Sequence, residues 1–243
     1  MDNYQDIEKS IITKSRKGIW RPFCKALKDY ALLDPSDNVA VLVNGSKQSF
    51  LMAECFKEIL KHGDFKFGCY YVYVNDDSIN DEVKNNARLL NIDLVCVDDV
   101  ISYINENKIN KLATSELYDD VLQSTMISLL YEGQVRTIIP KNHVGDLDLE
   151  IIRPMYLMEE ADIDTWVKRH NLYFSEVKTA DAEYMNKKKE MAKLIYELGK
   201  NNPFIQKNIF AAMNNVNLNC ILGYHSGENN ISFLDYYNDD KGE

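Results

Sequence analysis

The chain predicts an α/β fold, a parallel twisted sheet with helices on both faces and helical additions at the N- and C-terminal ends. Two observations carry this. A β-branched run, Val39–Val43, stops at Asn44-Gly45-Ser46 and opens into a segment where Phe50, Met52, Cys55, Phe56, Ile59 and Leu60 recur at helical spacing up to Gly63. Short β-rich runs and amphipathic segments then alternate as far as residue 131, the pattern of βαβ units joined by right-handed crossovers.

In chain order, the pattern places an N-terminal helix at about 18–33, then strand 39–43 and helix 48–62 as the first unit. Cys69–Asn75, CYYVYVN, forms the second strand. Ser78 with Asp81 three residues on reads as a capping box, so helix 79–90 starts there and buries Val83, Ala87 and Leu90. Strand 93–97, a short helix 99–106, strand 110–114 and helix 118–131 complete two further units. Residues 134–140 and 147–152 read as two strands around a turn at His143–Asp146, with Ile138, Ile139, Ile151 and Ile152 facing inward. Beyond Pro154 the chain reads as helical at 159–170, 181–200 and 203–214, with Met191, Leu194, Ile195 and Leu198 on one stripe that covers its own core or meets a partner subunit. Asp235–Glu243 reads as a frayed acidic tail. The organisation is a helical segment 1–35, an α/β domain 36–158, and a helical extension 159–243.

The composition suits one substantial α/β domain with additions. No apolar run approaches the ~20 residues of a membrane helix, and MDNYQDIEKS has neither the basic start nor the apolar centre of a signal peptide. A soluble, cytoplasmic protein with no membrane partner is expected. The five cysteines, Cys24, Cys55, Cys69, Cys96 and Cys220, are scattered singly and fit a reducing compartment; Cys24 and Cys55 fall on apolar helix faces as core residues. The four histidines, His62, His143, His170 and His225, have no metal-ligand spacing and read as surface or cap residues. No metal site is expected.

Candidate chemistry centres on the loop after the first strand. At a helix N-terminus several backbone N–H groups lack partners and the dipole favours an anion. Gly45 permits close backbone approach, Ser46 and Ser49 add hydroxyls, and Lys47 supplies a positive charge if it turns inward. The loop is neither GxxxxGK[ST] nor GxGxxG, and taken alone an ordinary strand-to-helix turn explains it equally well. On a parallel sheet, ligands bind at the carboxyl ends of strands near the switch in strand order. Asn44, Gly45, Ser46, Lys47, Gln48 and Ser49 would sit there. Asp76 and Asp77 past the second strand, and the segment from Ser115 to Asp120 past the fourth, would converge on the same crevice. Asp119 and Asp120 are either a cation-holding pair or charges suited to a helix dipole.

Taken together with later segments, the chain resembles the PP-loop ATPase superfamily and, within it, the TtcA-like tRNA 2-thiocytidine biosynthesis proteins. The family loop SGGxDS matches Asn44–Ser49 at Gly45 and Ser49. Residues 115–141, SELYDDVLQSTMISLLYEGQVRTIIPK, are similar to the family's GHHRDD…ET…N…YGG…PPK stretch at Asp119, Asp120, Leu122, Tyr131, Gly133, Pro140 and Lys141. Ile152-Arg153-Pro154 with the helix after it resembles the "IRPL" segment, and Phe210–Val216 resembles "FxAMxNV". The resemblance covers residues 18–220 in family order. It implies an adenine nucleotide alpha hydrolase-like fold, ATP or AMP with Mg on the loop, action on tRNA, and a homodimer.

The departures are specific. Gln48 replaces the loop aspartate that serves the family's ATP and metal site, and a neutral amide does not offset a divalent cation's charge. Both cysteine pairs that hold the family's iron–sulfur cluster are missing, the second falling at Phe174–Asp181, FSEVKTAD. No cluster is therefore expected, and the chain reads as a nucleotide- or anion-binding, regulatory relative, with tRNA thiolation or another adenylation as the alternative. The net charge of −10 argues in the same direction, because an acidic surface repels tRNA. Basic residues do cluster at Lys14–Arg21 and Lys187–Lys193, as patches or as solvated helix faces.

Overall fold

The computed structural model describes residues 3–63, 66–75, 80–174 and 181–239 of the 243-residue chain. It opens with α1 (Tyr4–Ile12), a π-helical turn (Arg16–Trp20) and α2 (Arg21–Asp29), followed by β1 (Asn38–Leu42), α3 (Lys47–His62), β2 (Gly68–Val74) and α4 (Asn80–Leu89). Next come β3 (Leu94–Val97), α5 (Val100–Glu106), β4 (Lys111–Ala113), α6 (Tyr118–Tyr131), β5 (Lys141–His143), β6 (Glu150–Ile152) and α7 (Glu160–His170). The rest is α8 (Ala182–Asn201), α9 (Ile205–Ala212), a 3-10 turn (Leu218–Cys220), the hairpin β7 (Gly223–Ser226) and β8 (Asn229–Ser232), and α10 (Phe233–Asp239).

Six strands form one sheet in the order β3-β2-β1-β4-β6-β5. All neighbours run parallel except β5, which lies antiparallel to β6 at the edge. The chain builds outward from β1 to β3, then returns to set β4 on the other side of β1. That reversal puts the switch point between Leu42 and Ala113, where Val39–Val41 pair with Lys111–Ala113.

Side chains of one strand alternate between faces, and β1 shows the result. Val39, Val41 and Val43, all fully buried, join the larger core with Phe23 of α2, Phe50 and Phe56 of α3, Ala87 of α4 and Trp166 of α7. Ala40 and Val72 point the other way, into a smaller core closed by Ile104 of α5 and by Ile109 and Leu149. Helices therefore cover both faces, unequally.

The chain divides into two compact units, residues 1–194 and 195–243. In the second, the β7–β8 hairpin turns at Gly227, with φ of +59°, and α10 occupies much of the stretch expected to be a frayed tail. Along α8, Met191 and Ile195 are buried but Leu198 is 41% exposed, so the expected stripe ends early.

Several other segments depart from the sequence pattern. The N-terminal helix is broken into the π-helical turn and α2, ending at Asp29, with Ala31 at φ +47°. Residues 134–140 form no strand, and Ile139 is 51% exposed rather than inward. Gly133, at φ +66°, ends α6, and the segment is held by side chains instead. Ser128 Oγ donates to Gln134 O at 2.7 Å, and Tyr156 Oη to Ile138 O at 2.7 Å. His170 is no surface residue: it is 3% exposed, with Nε2 at 2.8 Å from Ser10 Oγ of α1. Ser78 of the expected capping box lies outside the described residues. Among the described residues no helix is long and apolar enough to cross a membrane.

Candidate functional site

The turn from β1 into α3 is fixed by its own polar side chains. Gly45 takes φ +93°, a conformation that L side chains resist. Asn44 Oδ1 accepts from Ser46 N–H at 3.1 Å, and Ser46 Oγ caps α3 by accepting from Ser49 N–H at 3.2 Å. Ser49 Oγ accepts from Asn44 N–H at 3.2 Å and donates to Ser46 O at 2.9 Å. Ser49 is fully buried, so its hydroxyl braces the loop. No hydrogen bond among the described residues takes up the N–H groups of Gly45, Lys47 or Gln48, which leaves three amide donors at the positive end of a 16-residue helix. Gly45→Ala is expected to lower stability by about 1–2 kcal/mol, read from the urea midpoint, and to distort this donor set.

Lys47 does not lean over the loop. Its Nζ lies 2.9 Å from Glu160 Oε1 and 2.5 Å from Asp164 Oδ1, both on α7. Burial opposes its charge, but the hydrogen bonds from Asp164 and Glu160 prevail and hold its pKa above the ordinary lysine value.

The second candidate segment follows β4. Thr114 N–H donates to Ile152 O at 2.9 Å, and Ser115 begins the segment into α6. Both aspartates there serve helix ends. Asp120 accepts Leu117 N–H at 2.8 Å and pairs with Lys188 of α8. Asp119 Oδ2 accepts Glu160 N–H at 2.8 Å, reaching across to the first residue of α7. Burial raises the Asp119 pKa, and the hydrogen bond from the Glu160 amide works against that rise. Arg153 Nη1 donates to Ile139 O at 2.7 Å and to Asn142 Oδ1 at 2.8 Å, and its Nε lies 3.7 Å from Glu116 Oε2.

The structure thus brings the Asn44–Ser49 loop and the Ser115–Asp120 segment to one end of neighbouring strands, and ties both to the N-terminus of α7. Asp76 and Asp77 lie outside the described residues. Glu160 and Asp164, which hold Lys47, went unrecognised in the sequence; they are 113 and 117 residues away along the chain, with no local signal. The attraction left for an anion comes from backbone amides and the α3 dipole.

The cysteines stand in different surroundings. Cys55 is fully buried in α3, where burial pushes its thiol well up; Cys24 is half-buried in α2; Cys96 and Cys220 are exposed. Among the described residues no three His, Cys, Asp or Glu side chains converge on a point that could hold a metal ion. This donor set does not fit an iron–sulfur cluster ligated by the chain's own cysteines.

A mostly parallel sheet with a small-residue loop at its switch point makes this a doubly wound α/β protein, and its arrangement matches the adenine nucleotide alpha hydrolase-like fold. The chain shares that fold with U34-tRNA thiolase NcsA from Methanococcus maripaludis, solved with its [4Fe-4S] cluster, at a TM-score of 0.64 and 17% identity, covering 91% of this chain and 86% of that one. In sequence it is similar to TtcA-type proteins over most of its length. It is 27% identical over 237 aligned positions to tRNA-cytidine(32) 2-sulfurtransferase 2 of Francisella tularensis subsp. tularensis (strain WY96-3418), spanning 84% of this chain and 94% of that protein. To tRNA-cytidine(32) 2-sulfurtransferase 1 of Francisella philomiragia subsp. philomiragia it is 25% identical, spanning 84% and 92%. No family model matches the chain.

Proposed function

We propose that this chain is a TtcA-like protein of the PP-loop type that binds an adenine nucleotide through the Asn44–Ser49 loop and acts on tRNA. The observation that carries this is the span of the similarity, 84% of this chain and 94% of a tRNA-cytidine sulfurtransferase in a single alignment. The phosphates would meet the Gly45, Lys47 and Gln48 amides, with the α3 dipole behind them. Adenylation of a cytidine carbonyl oxygen, with pyrophosphate leaving, is the reaction this reading assigns.

A second reading, nucleotide and tRNA binding without turnover, is favoured by the charge of the loop. Gln48 is neutral, Lys47 is engaged by Glu160 and Asp164, and Asp119 and Asp120 are engaged at helix ends. Release of pyrophosphate from ATP with and without tRNA separates the two: tRNA-stimulated release supports adenylation, and saturable binding of both ligands without release supports the second. Absence of nucleotide binding would remove both readings. Gln48→Asp is expected to make ATP binding magnesium-dependent, tightening it at least severalfold in 5–10 mM Mg as read by calorimetry, because a carboxylate supplies the hard oxygen ligand that an amide does not match in charge.

A further inference from the structure

We propose that the cleft between the N-terminal π-helical turn and α7 is a docking surface for the sugar–phosphate backbone of RNA. This deepens the tRNA reading above and rests on it. The cleft has a volume of about 410 Å³ and is lined by Lys14, Ser15, Lys17 and Gly18 on one side and by Glu159, Asp162, Thr165 and Arg169 on the other. Four cations, Lys14, Arg16, Lys17 and Arg21, fall within eight residues with no acid among them. All four are exposed, and none has an ion-pair partner among the described residues. Lys47, Lys57 and Lys111, by contrast, are each paired with two or more carboxylates. Arg169 adds a further charge, positioned by donation from its Nη1 to Ser15 Oγ at 2.7 Å. In a chain of net charge −10, Lys14, Lys17 and Arg169 thus line one cleft, outnumbering its carboxylates Glu159 and Asp162, with Arg16 and Arg21 close by in sequence.

Asp162 selects the kind of anion. Asp162 lies directly over Gly18, where a Cβ would come within 2.2 Å of its carboxyl. A phosphate seated deep in the cleft would meet that carboxylate, whereas a strand lying across the mouth keeps its phosphates at the cationic rim. Asp162 and Thr165 then face the sugars, and a ribose 2′-hydroxyl can donate to the Asp162 carboxylate where deoxyribose cannot.

Position links the cleft to the loop. Asp162, Thr165 and Arg169 lie on one side of α7, while Glu160 and Asp164, which hold Lys47, lie on the other. A strand docked in the cleft is therefore separated from the nucleotide loop by about one helix diameter, roughly 10–12 Å.

The test is retardation of a tRNA transcript by the full chain across a salt series, comparing the native protein with Lys14→Gln/Lys17→Gln and with that pair plus Arg169→Gln. Loss of at least tenfold in affinity at low salt, a salt slope shallower by about 1–3, and unchanged calorimetric binding of ATP support the surface. The double variant alters only exposed side chains, so its result does not depend on the Arg169–Ser15 contact. If native protein retards tRNA and both variants match it in affinity and slope, the surface assignment is overturned while the tRNA reading stands. If native protein fails to retard tRNA at low salt, both fall. Equal binding of a DNA strand of the same sequence would overturn the assignment to RNA.

Discussion

Lys111→Met is expected to cost the fold about 3–5 kcal/mol, read from the urea midpoint at pH 7. Lys111 begins β4, and its side chain is only 5% exposed. Its Nζ donates to Leu32 O at 2.9 Å and lies 3.1 Å from Asp37 and 3.3 Å from Glu150. Asp37 is itself 4% exposed and also accepts from Asn110 Nδ2 and Asp34 N–H. Without the ammonium, buried Asp37 and partly buried Glu150 lose their shared cation, and neither can gain a full hydration shell. The cluster ties the entry to β1, through Asp37, to β4 and β6 at the end of the sheet opposite the nucleotide loop. Adding Asp37→Asn to the variant is expected to recover part of the loss, since it removes the stranded charge. A Lys111→Met midpoint within 0.5 kcal/mol of native would contradict the buried-pair assignment.

The second large effect is a pH dependence centred on α3. Glu54 is fully buried, and burial pushes its pKa up to about 7 against the opposing pull of Lys57 at 2.8 Å. Glu8 of α1 and Glu58 of α3 face the same pocket with Lys57 and Lys61, and Tyr71 of β2 lies close enough to interact. A carboxyl whose pKa is higher in the folded than in the unfolded chain stabilises the fold fully below the unfolded value, near 4.5, and that contribution is lost as pH rises through the folded value, near 7. The Glu54 share of the loss is on the order of 3 kcal/mol. Native stability is therefore expected to fall between pH 5 and pH 8, and Glu54→Gln to remove most of that slope. Glu58, also raised mainly by burial, keeps a remainder. Parallel pH profiles for native and Glu54→Gln protein would contradict this reading.

The two effects mark where the sequence stopped being legible. The strand–loop–helix unit at Val39–His62 could be read because β-branched residues, a Gly turn and a 3.6-residue apolar period all act within a few positions. Helix 118–131 was legible for the same reason and has those bounds in the structure. Glu54 and Glu58, by contrast, lie on the buried side of α3, facing α1, and α1 itself carried no strong signal. Lys111 is buried because Leu32, Asp37 and Glu150 converge on it from three other segments. Residues 134–140 look β-like by composition, yet in the edge position only β5, three residues long, pairs with β6, and the rest is held by Ser128 and Tyr156. At the site, the loop residues were legible and their environment was not. Whether Lys47 turns toward an anion or toward α7 depends on two acids more than 110 residues away.

In the proposed function the Asn44–Ser49 loop holds a nucleotide's phosphates on its backbone amides. Titration of ¹⁵N-labelled protein with pyrophosphate and with ATP, followed through the amide resonances, tests it most directly. Saturable shifts are expected, largest at Gly45, Lys47 and Gln48 and weakened in the Gly45→Ala variant. Unmoved loop amides at millimolar ligand, or saturable shifts confined to another surface, would contradict it.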